Sequence, residues 1–272
     1  MDSLVARINY LWRVAATGFG FLLFSLMGLL FRFVACPLLR VVPHSRRRVR
    51  LARRIVQTSF AFFIDLMQRL GVLQLQVSGR EALDRPGTLL CPSHPTLIDV
   101  VILMSMIKNA NCIVKAALLR STAMKAPIIT SGYIANDHGP DLVQAAARSL
   151  AEGDTLILFP EGTRTTPGVT PHLKHGAAAT ALAARCDITP VRITCTPPAL
   201  MKGIAWYRIP PCPMRISVTV LPPINIASYL GLEATQGRPK AVRRLTETLA
   251  EQLFPIDTHP PLRDSHEQRN SR

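Results

Sequence analysis

The sequence predicts an α/β protein: a mixed, mostly parallel sheet flanked by helices, preceded by an N-terminal membrane helix or helical hairpin. Two observations indicate this class. A long apolar run followed by arginines lies within residues 1–70, and from Gly71 onward short apolar runs alternate with helical patterns. A chain of 272 residues suffices for one such domain plus an appendage. We therefore divide it into residues 1–70, 71–254 and 255–272.

The apolar run covers residues 15–31 and contains no charged residue. As a helix it would extend over ~26 Å, against a bilayer hydrocarbon core of ~30 Å. Extending the run to residue 39 makes it long enough but includes Arg32 and Pro37. A tilted span, a kinked span and a re-entrant hairpin all agree with this pattern.

A cluster of basic residues, the arginine cluster, follows the run at residues 40–54, where no acidic residue occurs. It contributes seven of the fifteen net positive charges. Such a cluster beside an apolar segment attracts anionic lipid headgroups by about 1 kcal/mol per residue. It lacks interleaved aromatic residues or a nucleic-acid-binding motif, so we expect a membrane surface and no nucleic acid as partner. Its members are Arg40, Arg46, Arg47, Arg48, Arg50, Arg53 and Arg54.

The positive charge is unevenly distributed around the apolar run. Arg7 and Arg13 precede it, whereas the arginine cluster follows it. By the positive-inside rule, the later side lies in the cytoplasm. We therefore expect a membrane protein, at a bacterial inner membrane, with its α/β domain facing the cytoplasm.

Residues 51–70 carry an apolar stripe with alternating spacings of four and three residues, which predicts an amphipathic helix. The stripe can pack on a neighbouring helix or the domain, or it can lie on the bilayer surface. Both interpretations agree with a helical hairpin that enters the membrane from one side. The stripe consists of Val56, Phe60, Phe63, Met67 and Leu70.

The remaining elements follow from short β-rich runs and helical patterns. We expect strands near residues 73–77, 88–91, 112–115, 132–135, 155–159, 190–195 and 215–221. Helices are expected at residues 97–107, 141–152, 173–185 and 240–253. The polar tail from Pro255 predicts disorder. The six cysteines include no Cys-x-x-Cys pair, so we expect reduced thiols, no disulfide framework and no metal site.

One candidate catalytic motif is the segment Cys91-Pro-Ser-His-Pro-Thr-Leu-Ile-Asp99. It leaves a strand, turns at two prolines and starts an apolar helix, which can bring Asp99 back toward the His94 imidazole. His94 would then remove a proton from a hydroxyl, with Asp99 orienting it. In the alternative interpretation, His94 caps the helix and Asp99 binds its first turn. Ser93 lacks a Gly-x-Ser-x-Gly elbow, which argues against a covalent serine.

A second motif, Leu156-Ile-Leu-Phe-Pro-Glu-Gly-Thr-Arg164, is a buried strand that runs into a proline turn. Arg164 offers a fork of donors to phosphate, and Gly162 allows close backbone approach. Glu161 can hold a loop or bind an acceptor hydroxyl, with Thr163 beside it. Taken alone, a Glu–Arg pair at a strand end is often an ordinary salt bridge.

Together, the two motifs resemble those of the glycerolipid, or PlsC-like lysophospholipid, acyltransferase family, from about residue 71 to 223. The resemblance implies that His94 is the general base, Asp99 its partner, and Glu161, Gly162 and Arg164 the acceptor-binding group. It also implies direct attack on the thioester of acyl-CoA or acyl-carrier protein, with no metal and no other cofactor. A thioester or lipid hydrolase and a non-catalytic lipid-binding protein are the alternatives.

The acceptor site departs from the family pattern at two places. Lys115 begins a block that lacks the family's glutamate, and Asp137 stands where glycerol-phosphate acylating members carry an arginine. Lys174 and His175 can supply replacement positive charge; in the alternative they form a solvated helix start. We expect Lys115 and Lys174 to bind substrate, with lysophosphatidic acid or a lipid without a free phosphomonoester as acceptor.

Overall fold

The computed structural model describes residues 2–43, 45–83, 85–122, 124–136, 140–169 and 171–255. Its strands are β1 (Leu73–Ser78), β2 (Leu89–Pro92), β3 (Ala110–Val114), β4 (Ile134–Ala135), β5 (Thr155–Ile157), β6 (Ile188–Thr196) and β7 (Met214–Val220). Within these residues they form one sheet in the order β1-β7-β6-β2-β5-β3-β4. Neighbouring strands are parallel except β6 and β7, which are antiparallel. The predicted mixed, mostly parallel sheet is confirmed.

Helices lie on both faces of the sheet. They are α1 (Asp2–Leu30), α2 (Cys36–Arg40), α3 (Ser45–Arg69), α4 (Asp99–Met106), α5 (Lys125–Thr130), α6 (Pro140–Ala151), α7 (Gly176–Ala184), α8 (Ala227–Gln236) and α9 (Arg238–Leu253). Leu90 belongs to the buried cluster under α3 and α4. Its neighbour Leu89 belongs to the cluster under α6, α7 and α9. Successive strand side chains point to opposite faces, so both clusters are built from continuous apolar runs.

The N-terminal region forms a helical hairpin. Residues Leu4–Arg40 form one helical stretch that is, by length and composition, able to cross a membrane. An 18-residue segment of it has a mean hydropathy of 2.1, and only 11% of that segment is buried. After a turn, α3 packs back along α1, with the Phe24 ring 5.6 Å from Phe60 and 5.8 Å from Phe63. Gly20 makes this packing close, because a Cβ there would lie 2.9 Å from the sulfur of Met67.

The predicted stripe on α3 is a packing surface. Val56, Phe63 and Met67 are buried, and Phe60 and Leu70 are half-buried against the same clusters. Among the two interpretations of the stripe, packing on a neighbouring helix and the domain is therefore confirmed. The hairpin instead exposes the outer side of α1, including Leu11, Phe19 and Leu22.

One member of the arginine cluster points into the protein. Arg53 is 4% exposed, and its Nη1 lies 2.8 Å from Oδ1 of Asp154. Its guanidinium also donates to the Ser131 carbonyl at 2.9 Å and to Oδ1 of Asn109 at 3.0 Å. The expectation that the whole cluster faces lipid headgroups is therefore wrong for Arg53, which ties α3 to the domain.

The predicted elements are present, with ends shifted by a few residues. Two helices, α5 and α8, were not predicted. Pro127 in α5 resembles a turn signal in the sequence, yet it lies within the first turn, where a missing backbone N–H costs no hydrogen bond. The predicted disordered tail beyond residue 255 lies outside the described residues, as does Asp137.

Candidate active site

The turn of residues 93–98, between β2 and α4, brings His94 and Asp99 together. Nδ1 of His94 lies 2.9 Å from Oδ2 of Asp99. The same oxygen accepts the Thr96 backbone N–H at 2.7 Å, and the Thr96 hydroxyl donates to Oδ1. Asp99 is fully buried. Because its carboxylate is an acceptor, Nδ1 carries the hydrogen, which leaves Nε2 to take a proton.

The start of α4 differs from the prediction. The helix begins at Asp99 and not at residue 97, so the carboxylate stands at the first helical position and not at the third. The tight turn of residues 94–98, and not helical spacing, therefore returns Asp99 to the imidazole. The helix N-terminus also favours a negative charge at this position.

Glu161 joins the two motifs. Its Oε1 accepts the backbone N–H of His94 at 2.8 Å and the Thr165 hydroxyl at 3.0 Å, while the Thr165 N–H donates to the His94 carbonyl at 2.8 Å. Glu161 is buried, and burial raises its pKa, which the donors from Thr165 and His94 partly counter. The carboxylate therefore holds the turn that carries His94, which is one of the two roles that the sequence leaves open for Glu161; binding of the acceptor stays a prediction.

Two further residues support the site: Phe159, which stands within the second motif, and Leu200, which no motif includes. The His94 ring stacks on Phe159 with centroids 4.1 Å apart. The Leu200 carbonyl accepts from the Leu97 backbone N–H at 3.1 Å and from Nη1 of Arg164 at 3.2 Å. Leu200 adopts φ 54°, a left-handed conformation that is uncommon for leucine and found preferentially at functional sites.

A cleft of about 500 Å³ opens at the carboxyl ends of β2, β3 and β5. Predicted residues that line it are His94, Lys115, Gly162, Thr163, Arg164 and Lys174. Apolar side chains cover another part of its wall: Leu97, Val100, Leu118, Leu142, Val143 and Leu158. Among the described residues, the lining of the cleft therefore combines one histidine, three cationic side chains and an apolar wall.

Gly162 brings Lys174 to the cleft. Its φ is +67°, and a Cβ there would lie 2.8 Å from Cε and 2.9 Å from Nζ of Lys174. The Lys174 backbone N–H donates to the Pro160 carbonyl at 2.8 Å, which fixes the base of the side chain. A side chain at position 162 would displace the flexible end of the lysine, and the positive φ favours glycine there.

Neither nucleophilic side chain beside His94 favours covalent catalysis. The Ser93 hydroxyl is buried, accepting the Ile193 N–H at 2.8 Å and donating to its carbonyl at 3.2 Å. Burial raises the pKa of Cys112, which lines the cleft, to about 12, so its thiolate is scarce. Within the described part of the chain, no group of three His, Cys, Asp or Glu residues could hold a metal ion.

The comparisons with known proteins agree with this arrangement. The model of the Acyltransferase family matches residues 74–194, from β1 to β6. A 1-acyl-sn-glycerol-3-phosphate acyltransferase of Limnanthes douglasii is 39% identical over 84 residues, which are 30% of this chain. The aligned part spans only 28% of that relative's length.

A solved structure shares the fold. It is the 1-acyl-sn-glycerophosphate (LPA) acyltransferase PlsC from Thermotoga maritima, with a TM-score of 0.59 and 18% identity. The alignment covers 85% of this chain and 93% of that one. That structure shares the fold of this chain, and both motifs, residues 91–99 and 156–164, lie within the part of the chain that matches the Acyltransferase family model.

Proposed function

We propose that this protein is a membrane-bound O-acyltransferase. It moves a fatty acyl group from acyl-CoA or acyl-carrier protein to a hydroxyl of a lysophospholipid, with lysophosphatidic acid as the acceptor. The observation that carries the proposal is the His94–Asp99 pair in the wall of a cleft that offers both cationic and apolar surface.

The reaction needs only a base and a positioned hydroxyl. Nε2 of His94 takes the proton as the acceptor oxygen attacks the thioester carbonyl carbon. Asp99 holds the Nδ1–H and stabilises the imidazolium that forms. The C–S bond then breaks, and the leaving thiolate takes the proton from His94. The products are the acylated lipid and a free thiol.

The cationic side of the cleft is suited to a phosphate headgroup. The Arg164 guanidinium donates one N–H to the Leu200 carbonyl and has other N–H donors besides. Lys115, at the end of β3, and Lys174 are exposed at the same cleft and add two positive charges. This charge supports an anionic acceptor such as lysophosphatidic acid.

The apolar side is suited to acyl chains. Leu97 lines the cleft and also a smaller apolar cavity of about 80 Å³ between α1, α3 and the domain. Burying methylene groups there is favourable, at ~0.8 kcal/mol for each. Leu97, three residues after His94, therefore presents apolar surface to both spaces.

The test is a substrate panel. Purified protein in detergent receives labelled acyl-CoA or acyl-carrier protein together with lysophosphatidic acid, lysophosphatidylcholine or monoacylglycerol, and products are identified by mass spectrometry. Acylated lysophosphatidic acid supports the proposal. Labelled fatty acid as the sole product would instead identify a hydrolase.

Arg164 should determine acceptor preference. We expect Arg164→Ala to lower kcat/KM for lysophosphatidic acid on the order of 10- to 100-fold, since a hydrogen bond to a charged group contributes ~1.5–3 kcal/mol. Monoacylglycerol, which lacks the phosphate, should be affected less. Arg164→Lys is the matched control, because it keeps the charge but loses the fork. Equal losses for both acceptors in Arg164→Ala would contradict a phosphate contact.

We also propose that the exposed face of α1 attaches the protein to the bacterial inner membrane, with the domain on the cytoplasmic side. The supporting observations are the apolar stretch Leu4–Arg40 and the arginines that follow it. Arg53 takes no part, because it is buried.

Members of the arginine cluster other than the buried Arg53 should strengthen this attachment: Arg46 and Arg47 are exposed, and Arg48 is half-buried. We expect Arg46→Gln, Arg47→Gln and Arg48→Gln together to weaken binding to vesicles with anionic lipid, most strongly at low salt. The control removes three charges from α9, on the other face of the sheet, as Lys240→Gln, Arg243→Gln and Arg244→Gln. Vesicle co-sedimentation measures both. Equal weakening by the two sets would show a general charge effect and no local role.

A further inference from the structure

Two adjacent aromatic side chains are exposed in the loop between β6 and β7. Trp206 is 45% exposed and Tyr207 52% exposed, with ring centroids 5.8 Å apart. We name residues 201–208 the aromatic loop. Single exposed apolar residues are ordinary, but neighbouring aromatic rings form a patch that water solvates poorly.

The aromatic loop adjoins the exposed side of α1. The Trp206 ring meets Phe21 edge-on at 5.5 Å and lies 3.5 Å from the Cβ position of Gly18. Phe19 and Leu22, beside these contacts in the sequence, are exposed. The patch is therefore continuous with the apolar surface that we propose to lie in the bilayer.

The loop also carries the polar groups expected at a lipid headgroup region. Lys202 and Arg208 are both exposed and flank the aromatic pair. Tryptophan and tyrosine favour the boundary between headgroups and acyl chains, because each has an apolar ring and a polar tip. Flanking cations are attracted to anionic headgroups. The aromatic rings, the flanking cations and the continuous apolar surface therefore all indicate the lipid headgroup region as the partner.

We propose that the aromatic loop is a second membrane contact, with the lipid headgroup boundary as its partner. The proposal rests on the proposed membrane attachment through α1. The loop extends the membrane contact beyond α1 and so fixes the orientation of the domain, where a single helix would allow rotation about its axis. The loop follows Leu200, whose carbonyl binds Leu97 and Arg164, so the contact brings the cleft close to its lipid acceptor.

The protein contains two tryptophans, Trp12 and Trp206, which permits a direct test. Trp12→Phe leaves Trp206 as the sole tryptophan, and its emission is measured in full-length protein bound to vesicles of phosphatidylcholine and phosphatidylglycerol. With lipid brominated near the headgroup, we expect loss of emission and a shift to shorter wavelength. Lipid brominated near the chain end should quench less.

Trp206→Phe is the matched variant, because it leaves Trp12 as the reporter. Quenching of Trp12 without quenching of Trp206 would overturn the loop contact while retaining the attachment of α1. Absence of quenching in both variants, with no co-sedimentation, would overturn the attachment and the loop contact together. The two failures are thus distinguishable.

Tyr207 separates lipid contact from packing on α1, since its ring meets Trp206, whereas the Trp206 ring is the one that meets Phe21 of the helix. We expect Tyr207→Ser to lower vesicle affinity several-fold at an unchanged thermal midpoint in detergent, whereas Tyr207→Phe keeps the affinity. Unchanged affinity in a folded Tyr207→Ser protein would overturn the proposal.

Discussion

Replacing His94 with alanine is expected to lower acyl transfer by ~10²–10⁴-fold, the range typical of losing a general base. The physical reason is that no proton acceptor would then remain at the position next to Asp99 where the hydroxyl must react. Asp99→Asn should cause a smaller loss, because it removes the charge that orients the ring and stabilises the imidazolium.

Acylated lipid is quantified by mass spectrometry under saturating donor. His172→Ala is the matched control, because His172 is an exposed histidine that is not among the residues lining the cleft, and it should retain normal turnover. Vesicle co-sedimentation should be unchanged in all three variants, since the N-terminal hairpin is intact. Turnover close to that of the wild type in His94→Ala would end the proposal.

Removing Asp154 should lower the free energy of unfolding by about 3–5 kcal/mol, because Arg53 would be left as a buried, unpaired charge. The ion pair lies between α3 and the domain, so the loss should also loosen the hairpin. Thermal unfolding of Asp154→Ala in detergent measures this. As a control, Arg46→Gln breaks the exposed pair with Glu152 and should cost at most about 1 kcal/mol.

The same carboxylate predicts a pH dependence. Burial by itself favours the neutral acid, but the hydrogen bonds from Arg53, Ser149 and Asn109 and the Arg53 charge hold the pKa of Asp154 below its ordinary value. Its contribution to stability is therefore complete above the unfolded-state pKa of ~3.9 and is lost as pH falls through the lower folded value. Asp154→Asn should remove this loss of stability at low pH. If the stability of Asp154→Asn depended on pH as that of the wild type does, the assignment to Asp154 would be contradicted.

The sequence predicts much of the fold because the central strands are short apolar runs with clear ends. The sequence also predicts that His94 and Asp99 meet. It predicts that α4 starts at residue 97, however, whereas the helix begins at Asp99. The turn that joins them depends on Thr96 binding the carboxylate, which the spacing of the two residues alone does not reveal.

Residues whose roles depend on long-range contacts could not be predicted. Glu161 binds the His94 backbone 67 positions away in the chain, and Leu200 binds Arg164 36 positions away. Arg53 looked like its neighbours in a basic run, yet its guanidinium pairs with Asp154. In each case the partner becomes adjacent only when the sheet has formed.

Thiol release with and without acceptor tests the central claim most directly. Wild-type protein in detergent receives acyl-CoA or acyl-carrier protein, and free thiol, acylated lipid and free fatty acid are measured together. Direct transfer predicts that thiol release requires lysophosphatidic acid and equals acylated lipid mole for mole, and that His94→Ala abolishes both. Thiol release without acceptor, matched by free fatty acid, would contradict the account.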